Sequence, residues 1–456
     1  MKYPYYVNTC ILNLAYKNKS GGEKIVTVSY WKDLYHSRLK KVEEAISVIQ
    51  SNQKVFLAPF CNEPQTLVEE LVQQKERLEN VSIYNVIIGS PCIYADPSCH
   101  KHFKIRTFLG SGSLKSAYQN NVCDYLPVNL SKIPQFIEQE NIDIALIQVS
   151  PPNDAGYCNL GLSVDAVQTL VKSAKVVIAQ VNNELPLTFG ETYIHVSEID
   201  HFVVSDRPLL TIPSGEPSEL EMKIGSYVAE LIPDYATVQV GLGKIADSVL
   251  VSLKSKKGLG IHSGSITDPV IELMNLGIIT NERKEINQYK TVCTTLTGTK
   301  ELYSYCHNNQ NIELYPTTYT HNPTIISKIS NFHSVNSALE VDLTGQINAE
   351  QVGTYPVAGV GGQMDFILGA SLSKGGKAII ALPSTAKNGT ESRIKVKIPF
   401  VTSIKSEIDY VVTEYGIASL FGKTLKERAK ALIAIAHPKF KDELLAEFNG
   451  MLSVSG

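Results

Sequence analysis

Short, wholly apolar runs alternate along the chain with longer segments whose apolar residues recur on one side only. Val55-Phe56-Leu57-Ala58 is such a run and predicts a buried strand. In the segment that follows, 63–80 (EPQTLVEELVQQKERLEN), Leu67, Val68, Leu71 and Val72 share one helical face. Residues 142–149 (IDIALIQV) predict another strand, 165–174 a helix, and 176–181 (VVIAQV) a strand again. The rhythm stops at 211–219 (TIPSGEPSE), where Pro213, Gly215 and Pro217 punctuate the chain and Ser214 or Ser218 is placed to cap a following helix. It then resumes, with strands at 238–240 and 378–382 and helices at 246–253 and 425–436 (LKERAKALIAIA). Uninterrupted apolar strands between helices suit parallel sheets covered on both faces. The expectation is two open α/β domains with largely parallel sheets, 29–215 and 216–456, behind an extension at 1–28.

Composition narrows the classes of function. The 456 residues carry 42 Lys and Arg against 45 Asp and Glu, so the chain has no basic excess of the kind nucleic acids select. It shows no polybasic anchor, no apolar run of membrane-spanning length and no signal-peptide core, which leaves no nucleic-acid or membrane partner to expect. The eight cysteines are scattered without a CxxC, which suits a reduced, cytoplasmic compartment. Cys92 and Cys99, with His100 and His102 close behind, are the one grouping that resembles a metal site. Six residues between the cysteines exceed the usual two to four, and no metal is expected.

Three segments carry candidate chemistry. In the first, 238–247 (VQVGLGKIAD), Gly241 and Gly243 lie between a strand and a helix, where bare backbone and a helix N-terminus favour an anion, and Lys244 adds a positive charge. Alone, this pattern equally describes a tight strand-to-helix turn. A nicotinamide dehydrogenase would also want an acidic residue about 20 positions on, and Asp268 comes too late. In the second, 357–366 (VAGVGGQMDF), Gly359, Gly361 and Gly362 crowd one loop, whose free N–H groups suit the oxygen of a thioester. In the third, Lys374, Lys377, Lys387 and Arg393 gather cations suited to phosphates, although any one of them reads as a solvated surface charge.

Longer blocks then carry a resemblance. Residues 334–350 (SVNSALEVDLTGQINAE), the GVGGQMDF loop, 412–429 (VTEYGIASLFGKTLKERA) and 145–161 (ALIQVSPPNDAGYCNLG) resemble the acetyl-CoA hydrolase/transferase family, as does Glu63-Pro64-Gln65. In pattern the chain is similar to 4-hydroxybutyrate and butyrate CoA-transferases, and to itaconate and succinate CoA-transferases. The resemblance implies a class I CoA-transferase with CoA in the cleft between two α/β domains. CoA would pass from an acyl-CoA to a short-chain or dicarboxylic acid, as a substrate, with no resident cofactor, in a homo-oligomer. It implies CoA contacts at Gly241, Leu242, Gly243, Lys244 and Ile245, at Gly361 and Gly362, and more loosely at Lys374.

The same resemblance exposes a departure. The family nucleophile is a glutamate in a Gly-Ile-His-Ser/Thr-Glu pattern. This chain reads Gly260-Ile261-His262-Ser263-Gly264, which puts Gly264 at the nucleophile position. A glycine cannot form the acyl anhydride on which the usual ping-pong chemistry depends. Three readings follow. Another glutamate reaches the cleft, with Glu63 and Glu340 as candidates. Alternatively Ser263 or Ser265 acts beside His262. In the third reading, water or the acceptor carboxylate attacks the thioester directly, giving hydrolysis or transfer within a ternary complex; beside it stands loss of activity, which leaves an acyl-CoA-binding protein.

Overall fold

The computed structural model describes residues 15–17, 23–25, 30–87 and 89–453. The expected extension therefore lies largely outside the described residues. Within it, Ala15–Lys17 and Glu23–Ile25 pair as antiparallel strands.

The first half is built on a seven-stranded, wholly parallel sheet. Its strands are β1 (Lys54–Leu57), β2 (Val81–Asn85), β3 (Phe103–Thr107), β4 (Cys123–Tyr125), β5 (Ile144–Val149), β6 (Val176–Val181) and β7 (His201–Val204), in the spatial order β7-β6-β5-β1-β2-β3-β4. Every residue of β5 is buried, as an apolar strand covered on both faces must be. The chain leaves β1 toward β2 but returns to β1's other side as β5, so loops diverge at the carboxyl ends of β1 and β5. Such a switch point leaves a crevice there. Asn62 fills part of it, donating to the carbonyls of Gln148 and Leu160 at 3.3 and 3.0 Å.

The second half repeats the principle. Strands β8 (Thr237–Val240), β9 (Gly260–Ile261), β10 (Phe332–Ser337), β11 (Lys377–Ala381), β12 (Tyr410–Thr413) and β13 (Gly416–Ser419) lie in the order β9-β8-β10-β11-β12-β13. All neighbours are parallel except the final hairpin of β12 and β13. The switch point falls between β8 and β10. Between the two sheets, residues 205–218 hold no regular element.

The helices expected at 63–80, 165–174 and 425–436 are shorter than the apolar pattern predicts. Helix α1 spans Gln65–Gln73 and not 63–80. Pro64 disfavours helical backbone at Glu63, whose ψ is 127°. At the far end Arg77 turns back to the carbonyl of Ile46 at 2.7 Å. Helix α2 spans Val167–Ser173, leaving Asp165 outside it. Helix α3 (Glu219–Leu231) starts at a capping box between Ser218 and Glu221, which settles Ser218 as the cap. Helix α4 (Lys244–Ser252) follows β8, helix α5 (Gln363–Leu372) follows the second glycine loop, and helix α6 (Leu425–Ala434) is capped by Thr424 and Glu427.

The two halves are packed together, and one apolar cluster runs from Phe56 and Val149 in the first sheet to Val238, Val335 and Ile379 in the second. Hydrogen bonds reinforce the seam. Val164 and Leu296 donate N–H groups to the carbonyls of Thr294 and Leu162, at 2.9 and 2.8 Å. The segment of residues 350–365 is held to the first half by three hydrogen bonds from two side chains. Tyr125 donates its hydroxyl to Glu350 at 2.6 Å and accepts from the Val360 N–H at 2.9 Å, while Ser131 donates to Asp365 at 2.7 Å.

Tyr125→Phe leaves the Val360 N–H and one Glu350 oxygen unpaired in a largely buried seam. A loss of about 1–3 kcal/mol is expected, read as a lower denaturant midpoint with unchanged slope. An unchanged midpoint contradicts the role given to that hydroxyl.

Candidate active site

The glycine turns are positioned by close approach. Gly243 adopts φ 103° and ψ 177°, a conformation for glycine alone, and lets α4 begin directly after β8. Gly361 has φ 54°, and its carbonyl accepts the Leu130 N–H from the first half at 3.0 Å. Gly359 lies so close to the first half that a Cβ there would come within 2.5 Å of the Phe108 carbonyl oxygen. Helices α4 and α5 thus both start at the seam, with their first N–H groups unpaired within the helix.

A cavity of about 150 Å³ lies where these elements converge. Its apolar wall comes from Ile87, Leu109 and Leu130 of the first half and Val240, Leu242 and Phe366 of the second. Gln239 and Asn336, at the switch point, form a polar floor in which the Asn336 amide donates to Ser334 Oγ at 2.8 Å. Gly241, Gly361 and Gly362 line it too, and so does Gly264. The two glycine turns and Gly264 therefore meet around one space, which none of Lys374, Lys377, Lys387 and Arg393 lines.

Gly264 is bare for a visible reason. A Cβ there would sit 3.0 Å from Nε2 of His321, and a Cβ at Gly362 would sit 2.3 Å from Cδ2 of the same ring. One imidazole is wedged between two glycines and packs on Phe366, ring centroids 4.5 Å apart. Its Nδ1 is 2.8 Å from the Thr320 hydroxyl. Burial pushes its pKa down to about 3, so the ring is neutral.

Asp165 lines the same cavity from the first half. It is 3% exposed, its φ is 39°, and its Oδ1 has no hydrogen-bond partner among the described residues. Its N–H donates to Thr294 Oγ1 at 2.9 Å, and Thr294 in turn donates its own N–H to the Gly264 carbonyl at 3.0 Å. Thr294 therefore links Asp165 to Gly264. Burial raises the Asp165 carboxyl from 3.8 to about 7, against a smaller lowering by the Ala166 N–H.

The remaining candidates lie elsewhere or are committed. Glu63 is buried beside the β1–β5 switch point, near Ser90, and burial raises its carboxyl to about 7, but it is not among the residues lining the cavity. Glu340 accepts from Asn348 at 3.0 Å in a small separate sheet and does not line the cavity either. Ser263 donates to the Val240 carbonyl at 3.2 Å and Ser265 to the Thr297 hydroxyl at 2.8 Å, while Nε2 of His262 faces the Thr320 carbonyl at 2.9 Å. No Ser–His hydrogen bond joins them. Lys244 is exposed at the start of α4, close to the cavity-lining Gly241 and Leu242, with Ile245 one residue further along the helix. Lys374 is exposed between α5 and β11, at the amino ends of the strands and so at the opposite end of the sheet from the 241–243 turn. His100 and His102 bond to the carbonyls of Ala95 and Leu78, and among the described residues no group of three or more His, Cys, Asp or Glu is placed to hold a metal. Sequence reasoning missed Asp165 and His321. Asp165 reads locally as an ordinary helix-start aspartate, and His321 is brought to Gly264 only by the tertiary fold.

Known proteins match this chain along most of its length. The acetyl-CoA hydrolase/transferase N-terminal domain matches residues 25–213, and the C-terminal domain of the same name matches 298–448. The stretch between, which holds 241–245 and Gly264, falls to neither. A 4-hydroxybutyrate coenzyme A transferase of Clostridium kluyveri is 43% identical, over 92% of this chain and 99% of its own. A succinyl-CoA:cyclohexane-1-carboxylate CoA transferase of Geobacter metallireducens is 38% identical, over 91% and 96%. The crystal structure of RipA from Yersinia pestis superposes with a TM-score of 0.88 at 32% identity, covering 92% of this chain and 99% of that one.

Two predictions follow from the crowding and the buried carboxyl. Gly264→Glu is destabilising by itself because His321 occupies its space, and adding His321→Ala relieves most of that loss; equal unfolding midpoints for the single and double variants contradict the packing described. Asp165→Asn tests the burial. The raised carboxyl favours the protonated fold, so the wild type loses stability as pH rises from about 3.8 to about 7 and stays at that lower level above. The variant is spared that loss, so it is the more stable protein at pH 8, by a margin that shrinks toward pH 4. A margin that does not vary with pH counts against a buried, ionising Asp165.

Proposed function

The chain belongs to the acetyl-CoA hydrolase/transferase family, and from that premise we propose that it moves CoA from an acyl-CoA such as acetyl-CoA to a short-chain or dicarboxylic acid. The observation that carries this reading is the convergence of the 241–243 turn, the 361–362 turn and Gly264 on one cavity at the seam of the two halves. Two helix N-termini and Lys244 favour the phosphates of CoA, which enters as a substrate and not as a resident cofactor. The N–H groups at Gly361 and Gly362 are the donors assigned to the thioester oxygen, where negative charge develops during attack. The cavity volume supports a short acyl chain, since a void of about 150 Å³ holds a ligand the size of benzene. The apolar wall keeps water from a reactive acyl intermediate, which is the condition for transfer in place of hydrolysis.

Gly264 stands in this reading at the position where the family carries its glutamate nucleophile, so the reacting carboxylate comes from another residue. The seven cysteines among the described residues are all free and buried, which suits a cytoplasmic setting, and a homo-oligomer is proposed on family grounds alone. Among the described residues no helix is long and apolar enough to cross a membrane.

Incubation of the protein with acetyl-CoA and, separately, butyrate, 4-hydroxybutyrate, succinate or itaconate tests the proposal by chromatography of the CoA esters. The expected result is a new acyl-CoA with at least one acid, formed without net release of free thiol. Thiol released without any acceptor identifies a hydrolase instead. Acetyl-CoA bound but left unchanged identifies a binding protein.

A further inference from the structure

The cavity described above contains one carboxylic acid. Of the described residues that line it, Asp165 alone carries a carboxyl group, and His321 is the only other ionisable side chain. A buried carboxylate with a structural role has both oxygens satisfied, and an orphaned one needs an explanation. Asp165 Oδ1 has no partner among the described residues, although the residue is 3% exposed. Its backbone is also held in a conformation that side chains other than glycine, Asn and Asp adopt rarely, at φ 39°. The second half maintains it there, because Thr294 Oγ1 accepts the Asp165 N–H at 2.9 Å and the Thr317 N–H donates to the Asp165 carbonyl at 3.1 Å. The residue is thus fixed by the same segment that fixes Gly264.

We propose that Asp165 supplies the reacting carboxylate that position 264 lacks, approaching the substrate from the first half of the chain and not from the second. This rests on the CoA-transfer reading given above. An oxygen of Asp165 attacks the thioester carbon, the C–S bond breaks, and CoA leaves as thiolate. The thiolate attacks the Asp165 carbonyl of the resulting mixed anhydride, and the donor acid departs as its carboxylate, leaving an aspartyl-CoA thioester. The acceptor carboxylate attacks that thioester and expels the thiolate once more. The thiolate then attacks the acceptor's acyl carbon, forming the new acyl-CoA and returning Asp165 as a carboxylate. Each bond formed matches one broken, with no oxidant, reductant or net proton.

The energetics of the site favour this use. An ionised carboxylate in an apolar cavity is poorly solvated, hence basic and reactive, and burial has moved this one close to neutrality. His321 stays neutral there and adds no competing charge. The void that a side chain at 264 would otherwise occupy is partly filled by this imidazole. The reacting acyl group is left against the Asp165 wall.

The test traps the intermediate in the unmodified protein. Incubation with acetyl-CoA, reduction with borohydride and peptide mass spectrometry are expected to show Asp165 converted to homoserine, the product of reducing its thioester. Asp165→Asn, which tolerates the same backbone conformation, is expected to lose at least about 10³-fold in CoA exchange while keeping its acetyl-CoA affinity by calorimetry. Exchange that proceeds with Asp165 unmodified, with the label on Glu63 or Glu340, or at an undiminished rate in the Asn variant overturns this assignment and leaves CoA transfer standing. No exchange with any acid, in a protein that binds acetyl-CoA, overturns the transfer reading and this one with it.

Discussion

Two backbones meet without side chains between them where the 356–362 turn of the second half crosses the 108–110 turn of the first. A Cβ on Gly110 would come within 2.1 Å of the Pro356 carbonyl oxygen, and one on Gly359 within 2.5 Å of the Phe108 carbonyl oxygen. The Gly110 N–H donates to the Ala358 carbonyl at 2.6 Å, which fixes the distance between the halves at this point. The size of the cavity depends on that contact. Were the turns a side chain's width further apart, the starts of α4 and α5 would not converge with Gly264, and the apolar wall would admit water.

The proposed CoA transfer places a second demand on the same space. Conserving thioester energy through a covalent step needs a carboxylate that water cannot reach, and burying a carboxylate is costly. Nothing in the cavity offsets that cost with an opposite charge, so the group rests near neutrality instead. Asp165 bears this cost together with a left-handed backbone, and the hydrogen bonds of Thr294 and Thr317 sustain it. Strain of this kind at a cavity wall is characteristic of residues kept for function at the expense of stability.

What the sequence reveals follows the range of the forces involved. Strand β6 is legible to the residue because six consecutive apolar-rich positions lie between helices, and both glycine turns are legible because bare backbone is needed locally. The extent of α1 is less so, since Pro64 and the reach of Arg77 to Ile46 cut a longer amphipathic pattern at both ends. Gly264 is singled out in the sequence only by its place in the 260–264 pattern. Asp165 and His321 are invisible locally, because residues 165, 264, 294 and 321 are joined by hydrogen bonds and packing across more than 150 positions of chain. Glu63, which local reasoning favours, sits instead at the other switch point, within the first half.

Where the acyl group rests decides whether Asp165 is the reacting carboxylate. A crystal structure with a non-hydrolysable thioether analogue of acetyl-CoA tests it most directly. The expected result has the acyl carbonyl carbon in contact with the Asp165 carboxylate, its oxygen toward the N–H groups of Gly361 and Gly362, and the phosphates near Lys244. An acyl group held in the separate cleft of Lys300, Tyr303 and His307, or an Asp165 screened from the ligand by protein, would contradict it.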